Sequence, residues 1–183
     1  MKELKQLKKY LGVISYEDRM FSRQGLFGYL STIDYTNIKD TNVLTAVCDI
    51  IVEIFLLDFP NMWTDFSNNL HELTTISSKH SRVVLSILNK IFFALTPTTP
   101  TGSPLPTSSL TSKGNKIKDA LVNEINISAL VQIFIKIIQY DTPLLTSTMT
   151  QTLCIYTEWL GSAVITQTQL GILFLQVYSR GIS

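Results

Sequence analysis

Metal-ligating residues and an excess of either charge are both scarce in this chain. Its 183 residues hold two histidines, His71 and His80, and two cysteines, Cys48 and Cys154. The cysteines lie far apart in apolar stretches, and neither belongs to a CxxC pair. They read as buried thiols of a reducing compartment, not as a disulfide framework. His71-Glu72 has no second histidine one turn on, and neither histidine stands at ligand spacing from a cysteine. No metal site is therefore expected. Phosphate-cradling and nucleophile-elbow motifs are missing too; Gly25-Leu26-Phe27-Gly28 fits none of them. Asp49 and Glu53 lie one turn apart, but no other reacting group accompanies them, so they read as a solvated stripe. These absences lead to an expectation of no enzyme and no cofactor.

Charge of one sign is also lacking. Fifteen Lys and Arg face fourteen Asp and Glu, for a net charge of +1, short of the excess a basic nucleic-acid binder carries. The stretch Met1 to Lys9 is charged and no apolar core follows it, which is unlike a signal peptide. The most apolar run, Val43 to Phe59, contains Asp49, Glu53 and Asp58, too many charges for a membrane span. No membrane insertion is expected. On the same grounds the sequon Asn126-Ile127-Ser128 is taken as a chance match.

What the chain does have is apolar residues at helical period, 45% of the whole. Between Asn42 and Phe59 the polar positions Asn42, Thr45, Asp49 and Glu53 form one thin stripe on a wide apolar face, stopped by Pro60. Asn61 to Leu73 reads as the returning helix, with Met62, Trp63, Phe66, Leu70 and Leu73 as its apolar face. Ser81 to Leu95 is the next, with a stripe of Arg82, Ser86 and Asn89. Thr96 to Lys113 then changes texture: four prolines among Thr, Ser and Gly make it an extended loop. Helices follow over Lys116 to Glu124, Ala129 to Tyr140 with Ser128 as cap, Ser147 to Leu160, and about Gln167 to Tyr178; two more occupy Lys2 to Leu11 and Asp18 to Leu30. Short turns between wide apolar faces predict an all-α fold, an α-α superhelix of HEAT or armadillo-like hairpins over residues 1–183, with a compact bundle as the alternative. Trp63 and Trp159 are expected as core anchors. Two basic sets stand out. Lys2, Lys5, Lys8 and Lys9 read as a solvated first helix, whereas Lys113, Lys116 and Lys118, just after the loop, are placed to touch a phosphate backbone.

Several segments resemble one family in order and spacing. Leu57-Asp58-Phe59-Pro60-Asn61-Met62-Trp63-Thr64-Asp65-Phe66 resembles the aliphatic helix, aromatic-proline turn and Trp-x-x-Phe helix of exportins in the importin-β superfamily. Arg23 to Leu30 resembles the helix before it, and Arg82 to Leu88 an apolar helix after it. Asn115 to Ala120 is similar to the family's Lys-Asp helix, and Tyr156 to Leu160 to its Tyr-x-x-Trp helix. The spacing is most similar to the exportin-T branch, the carriers of tRNA. Val43, Leu44 and Thr45 replace basic residues, and Val122 and Gly161 replace an arginine and an aspartate. Phosphate contacts are not expected from those positions.

The resemblance implies the N-terminal portion of a longer array that shuttles between nucleus and cytoplasm with Ran-GTP and tRNA, touching nucleoporins on the way. Arg82, Lys116, Lys118 and Lys136 are the residues assigned to inner-face contacts with tRNA or Ran. The alternative is a protein-cargo transport receptor, or a helical scaffold, with no RNA role.

Overall fold

A computed structural model describes residues 6, 10–35, 41–96, 112–140, 142–158, 171, 172, 175, 176 and 179. Seven helices run through these residues: α1 (Tyr16–Thr32), α2 (Thr41–Asp58), α3 (Phe66–Ile76), α4 (Ser78–Ala94), α5 (Ser112–Leu121), α6 (Glu124–Ile138) and α7 (Pro143–Thr157). The helix ends follow local chemistry. Ser15 caps α1, its hydroxyl accepting from the Asp18 amide at 3.1 Å, and Glu17 and Asp18 complement the positive end of the helix. Asn123 caps α6 by accepting from the Asn126 amide at 2.9 Å. Proline opens α7, where its missing N–H removes no hydrogen bond.

Several boundaries differ from the sequence expectation. The helix expected from Asn61 begins only at Phe66; residues 60–65 turn instead, which leaves Met62 exposed and brings Trp63 into the core, where its indole N–H donates to Asn69 Oδ1 at 3.0 Å. Ser128 lies inside α6 because Asn123, a better-placed cap, starts that helix earlier. Helix α5 begins at Ser112, inside the stretch expected as loop. Residues 97–111, the lysines at 2, 5, 8 and 9, Trp159 and Gly161 fall outside the described residues, as do most of the expected first and last helices. One thiol also departs from expectation: Cys48 is buried, but Cys154 is exposed, because it lies on the solvent side of α7.

The helices pack as successive hairpins in two layers. Each hairpin pairs a helix of the first layer with one of the second: α1 with α2, α3 with α4, and α6 with α7. Along the first layer α1 packs on α3 and α3 on α6; along the second, α2 packs on α4 and α4 on α7. The main partners of each hairpin are its sequence neighbours, which is the arrangement of a HEAT-like repeat array and not of a bundle closed around one axis. Aromatic rings fill the junction of the first two hairpins. Phe55 meets Phe66 at 4.4 Å and Phe59 at 4.6 Å between centroids, and Trp63 meets Phe66 edge-on at 5.0 Å. At the next junction Phe92 of α4 stacks on Tyr156 of α7 at 4.9 Å, both fully buried. Each such ring contributes about 1.5–3 kcal/mol by leaving water.

Candidate binding face

The second layer turns one side of α2, α4 and α7 to solvent. Its polar positions come from the stripes visible in the sequence. Along α2 these include Thr45, Asp49 and Glu53; along α4 they include Lys79, Arg82, Ser86 and Lys90. Midway along α2 and toward the C-terminal end of α4, Lys90 Nζ pairs with Asp49 Oδ1 at 2.7 Å across the seam, each side chain about a third exposed. An exposed pair of this kind is worth about 0.2–1 kcal/mol, so its main effect is to cancel charge locally.

Toward the N-terminal ends the seam opens into a cleft of ≈ 350 Å³. Leu44, Thr45 and Cys48 of α2 form one wall, and Lys79, Arg82, Val83 and Ser86 of α4 the other. Tyr35, from the turn after α1, also lines it. Its hydroxyl donates to the Leu30 carbonyl at 3.1 Å, and its ring meets His80 edge-on at 4.7 Å. Burial raises the Tyr35 pKa well above the ordinary tyrosine range, so the phenol stays neutral. Burial likewise pushes the Cys48 thiol up to about 12, an effect that nearby Lys90 opposes. Among the described lining residues, the charged ones are Lys79 and Arg82.

The four basic residues expected to act together are dispersed. Arg82 is exposed in the cleft wall. Lys136 belongs to α6 in the other layer, beside Gln139 (3.4 Å) and over the Tyr140 ring (6.0 Å), so its solvent side is opposite to that of Arg82. Lys116 and Lys118 are on α5, which lies at the C-terminal ends of second-layer helices. Lys113 Nζ donates to the Leu57 carbonyl at the end of α2 (3.0 Å), and the Leu121 carbonyl accepts from Tyr156 Oη near the end of α7 (2.8 Å). Burial lowers the Lys118 pKa, against the pull of Asp119 and Glu158. Helix carbonyl ends carry partial negative charge, so this placement uses lysines to complement the helix ends. Lys113 and Lys118 thus have intramolecular company; Lys116 is exposed.

Two features escaped the sequence reading. Lys79, one turn before Arg82, was missed because the helix was expected to begin at Ser81; it begins at Ser78, capped by Ser77. The other is a network around Asp58, a fully buried carboxylate. Arg19 reaches its Oδ1 at 2.8 Å and Arg23 its Oδ2 at 4.0 Å. Arg23 also donates to the Met62 carbonyl at 3.0 Å and lies over the Trp63 ring, 5.0 Å from its centroid. This network fastens α1 to the turn between α2 and α3. The sequence offered only the isolated charges, and nothing in their spacing links residues 19 and 23 to residue 58.

Among the described residues no group of three His, Cys, Asp or Glu could hold a metal ion. Nor, among them, is any single helix long and apolar enough to cross a membrane; α5 and α6 reach the required length only together, across a 66° bend. A family model described as Exportin 1-like protein matches residues 40–180, from just before α2 to beyond α7. No curated protein and no solved structure matches the chain.

Proposed function

The chain belongs to the exportin 1-like family, and from that premise we propose that its hairpins form part of a nuclear export receptor that carries tRNA together with Ran-GTP. Membership of the family implies nucleocytoplasmic transport by a HEAT-like repeat protein, with Ran-GTP and cargo as the kinds of partner. The observation that carries the reading is the coincidence of the matched span with stacked helical hairpins. Choice of tRNA as cargo is supported by the resemblance in order and spacing from Leu57-Asp58-Phe59-Pro60 to Tyr156-Thr157-Glu158. In this reading the segment binds and does not transform its partners, with Arg82 and Lys116 exposed and all four basic residues, Lys118 and Lys136 included, acting from separate places on the array. Shuttling between nucleus and cytoplasm, with nucleoporin contact during passage, belongs to the same proposal.

A second reading, a protein-cargo receptor with no RNA role, is favoured by one observation. The chain is close to neutral, and Lys113 is taken up by a helix end. Binding of the full chain to Ran loaded with a non-hydrolysable GTP analogue, to Ran-GDP and to tRNA at low salt tests both readings. The proposal expects a preference for the GTP form and tRNA binding that falls steeply with salt. Ran-GTP binding without tRNA binding moves the chain to the second reading. Binding of neither overturns both.

A further inference from the structure

We propose that the groove between α1 and α3, in the first layer, is a docking site for a basic amphipathic helix of a protein partner, whose lysine or arginine side chains meet Asp65 and Glu72 while its apolar face rests on Phe27, Leu73 and Ile76. The inference goes beyond the transport reading and depends neither on Ran-GTP nor on the nature of the cargo.

Three observations carry it. The first is shape. Two cavities, of ≈ 280 Å³ and ≈ 340 Å³, lie along the seam of these helices and share Phe27 and Asn69, so together they make one groove. On α3 its lining residues Asp65, Asn69, Glu72 and Ile76 recur at steps of three and four, which puts them on one face. On α1 Gln24, Phe27, Gly28 and Ser31 do the same. The stripe from Asp65 to Ile76 is about 16 Å long at a helical rise of about 1.5 Å per residue, enough for about three turns of a partner helix. Gly28 keeps the α1 wall low: a Cβ at that position would meet nothing within 4 Å.

The second observation is charge. Among the described lining residues the charged ones are Arg23, Asp65 and Glu72. Arg23 is turned into the protein, where it donates to the Met62 carbonyl, lies over the Trp63 ring and stands beside Asp58. The two acids are exposed. Asp65 precedes α3 without a capping hydrogen bond from its side chain. Among the described residues neither its carboxylate nor that of Glu72 takes part in an ion pair. The two stand two turns apart, about 10 Å, which matches cations at i and i+7 of a helix lying alongside.

The third is the apolar surface beside those acids. Leu73 is buried, Phe27 is half-buried with its ring held edge-on to Trp63 at 5.9 Å, and Ile76 is 47% exposed. Covering Ile76 and the open side of Phe27 removes apolar area from water. A ligand that satisfies both features carries cations and aliphatic groups on neighbouring faces, as a basic amphipathic helix does. Nucleic acid and anionic lipid are poorer matches, because their phosphates are repelled by the same carboxylates.

The test is fluorescence anisotropy on the full chain. The probe is a fluorescein-labelled helical peptide with leucine along one face and lysine at i and i+7 on its flank. One counterpart carries glutamate at each lysine, and a second is a neutral peptide of phenylalanine and glycine. The lysine peptide is expected to bind, less tightly as salt rises, and both counterparts to bind more weakly. The D65K/E72K double variant should lose about tenfold or more in affinity, because two attractions become repulsions, and the milder D65N/E72Q should lose less. Gly28→Gln puts a side chain into the groove where the protein leaves room for one. It should weaken binding about tenfold while the thermal midpoint holds or rises, since glutamine favours helix over glycine. Gln151→Lys, on the exposed side of α7 in the other layer, should leave binding unchanged. Circular dichroism of each variant reports whether it is folded. Failure of the lysine peptide to bind the folded chain overturns the proposal. Equal binding of either counterpart, unchanged binding in folded Gly28→Gln, or an equal loss in Gln151→Lys does so too. Ran-GTP takes no part in these measurements, so the transport reading stands or falls separately.

Discussion

Single side chains in this protein act mainly through burial. Tyr156 is fully buried, and its hydroxyl donates to the Leu121 carbonyl at 2.8 Å. Tyr156→Phe keeps the stacking on Phe92 and leaves that buried carbonyl without its partner. Urea unfolding should show a loss of about 1–3 kcal/mol at an unchanged slope. The two thiols differ for the same reason. Cys48 is buried with a pKa pushed up to about 12, whereas Cys154 is exposed. Since the thiolate is the reactive form, a thiol reagent at neutral pH should modify Cys154 quickly and Cys48 only on unfolding, as peptide mapping would show. His80 gives a pH dependence. Burial lowers its pKa from the ordinary 6.5, against the backbone of Ser31 and Leu30, so the folded state binds its proton less readily than the unfolded chain does. The contribution of the neutral ring to stability is full above about 6.5 and is lost as pH falls below that value toward the folded pKa. Thermal midpoints measured downward from pH 7 should fall for the parent protein and fall less for His80→Gln.

At the scale of elements, the turn between α2 and α3 matters most. Asp58 ends α2, and its buried carboxylate holds Arg19 at 2.8 Å, with Arg23 reaching on to the Met62 carbonyl and the Trp63 ring. Asp58→Ala would leave two largely buried guanidinium groups without their counter-charge, at a cost of about 3–5 kcal/mol. The loss should concentrate in α1, whose protease sensitivity rises before that of α4. Helix α5 shows the opposite use of charge: its lysines are near helix carbonyl ends, so a basic cluster that reads as a ligand contact in sequence is partly an internal device.

On the scale of the whole molecule, stability should be graded along the array. Among the described residues, helix α4 packs mainly on α2, α3 and α7, and α1 mainly on α2 and α3. In a repeat array each unit is supported by its neighbours, so native-state hydrogen exchange should be slowest in α4 and faster in α1. Equal protection in both would mean a single cooperative core instead.

The sequence by itself determined the helical class, the wide apolar faces and most of the polar stripes, because a 3.6-residue period is a local property that any one helix displays. It placed Trp63 correctly in the core but on the wrong backbone, since a helix and a turn can both deliver an indole inward. It also selected Arg82 and left out Lys79, because the start of a helix depends on a cap that competes with several nearby serines. Only the tertiary structure decided which side chains meet. The Arg19–Asp58 pair spans 39 residues, Lys90–Asp49 spans 41 and Lys113 to the Leu57 carbonyl spans 56. Contacts over such separations are set by how hairpins stack, and periodicity within one helix carries no record of which face of its neighbour it will meet.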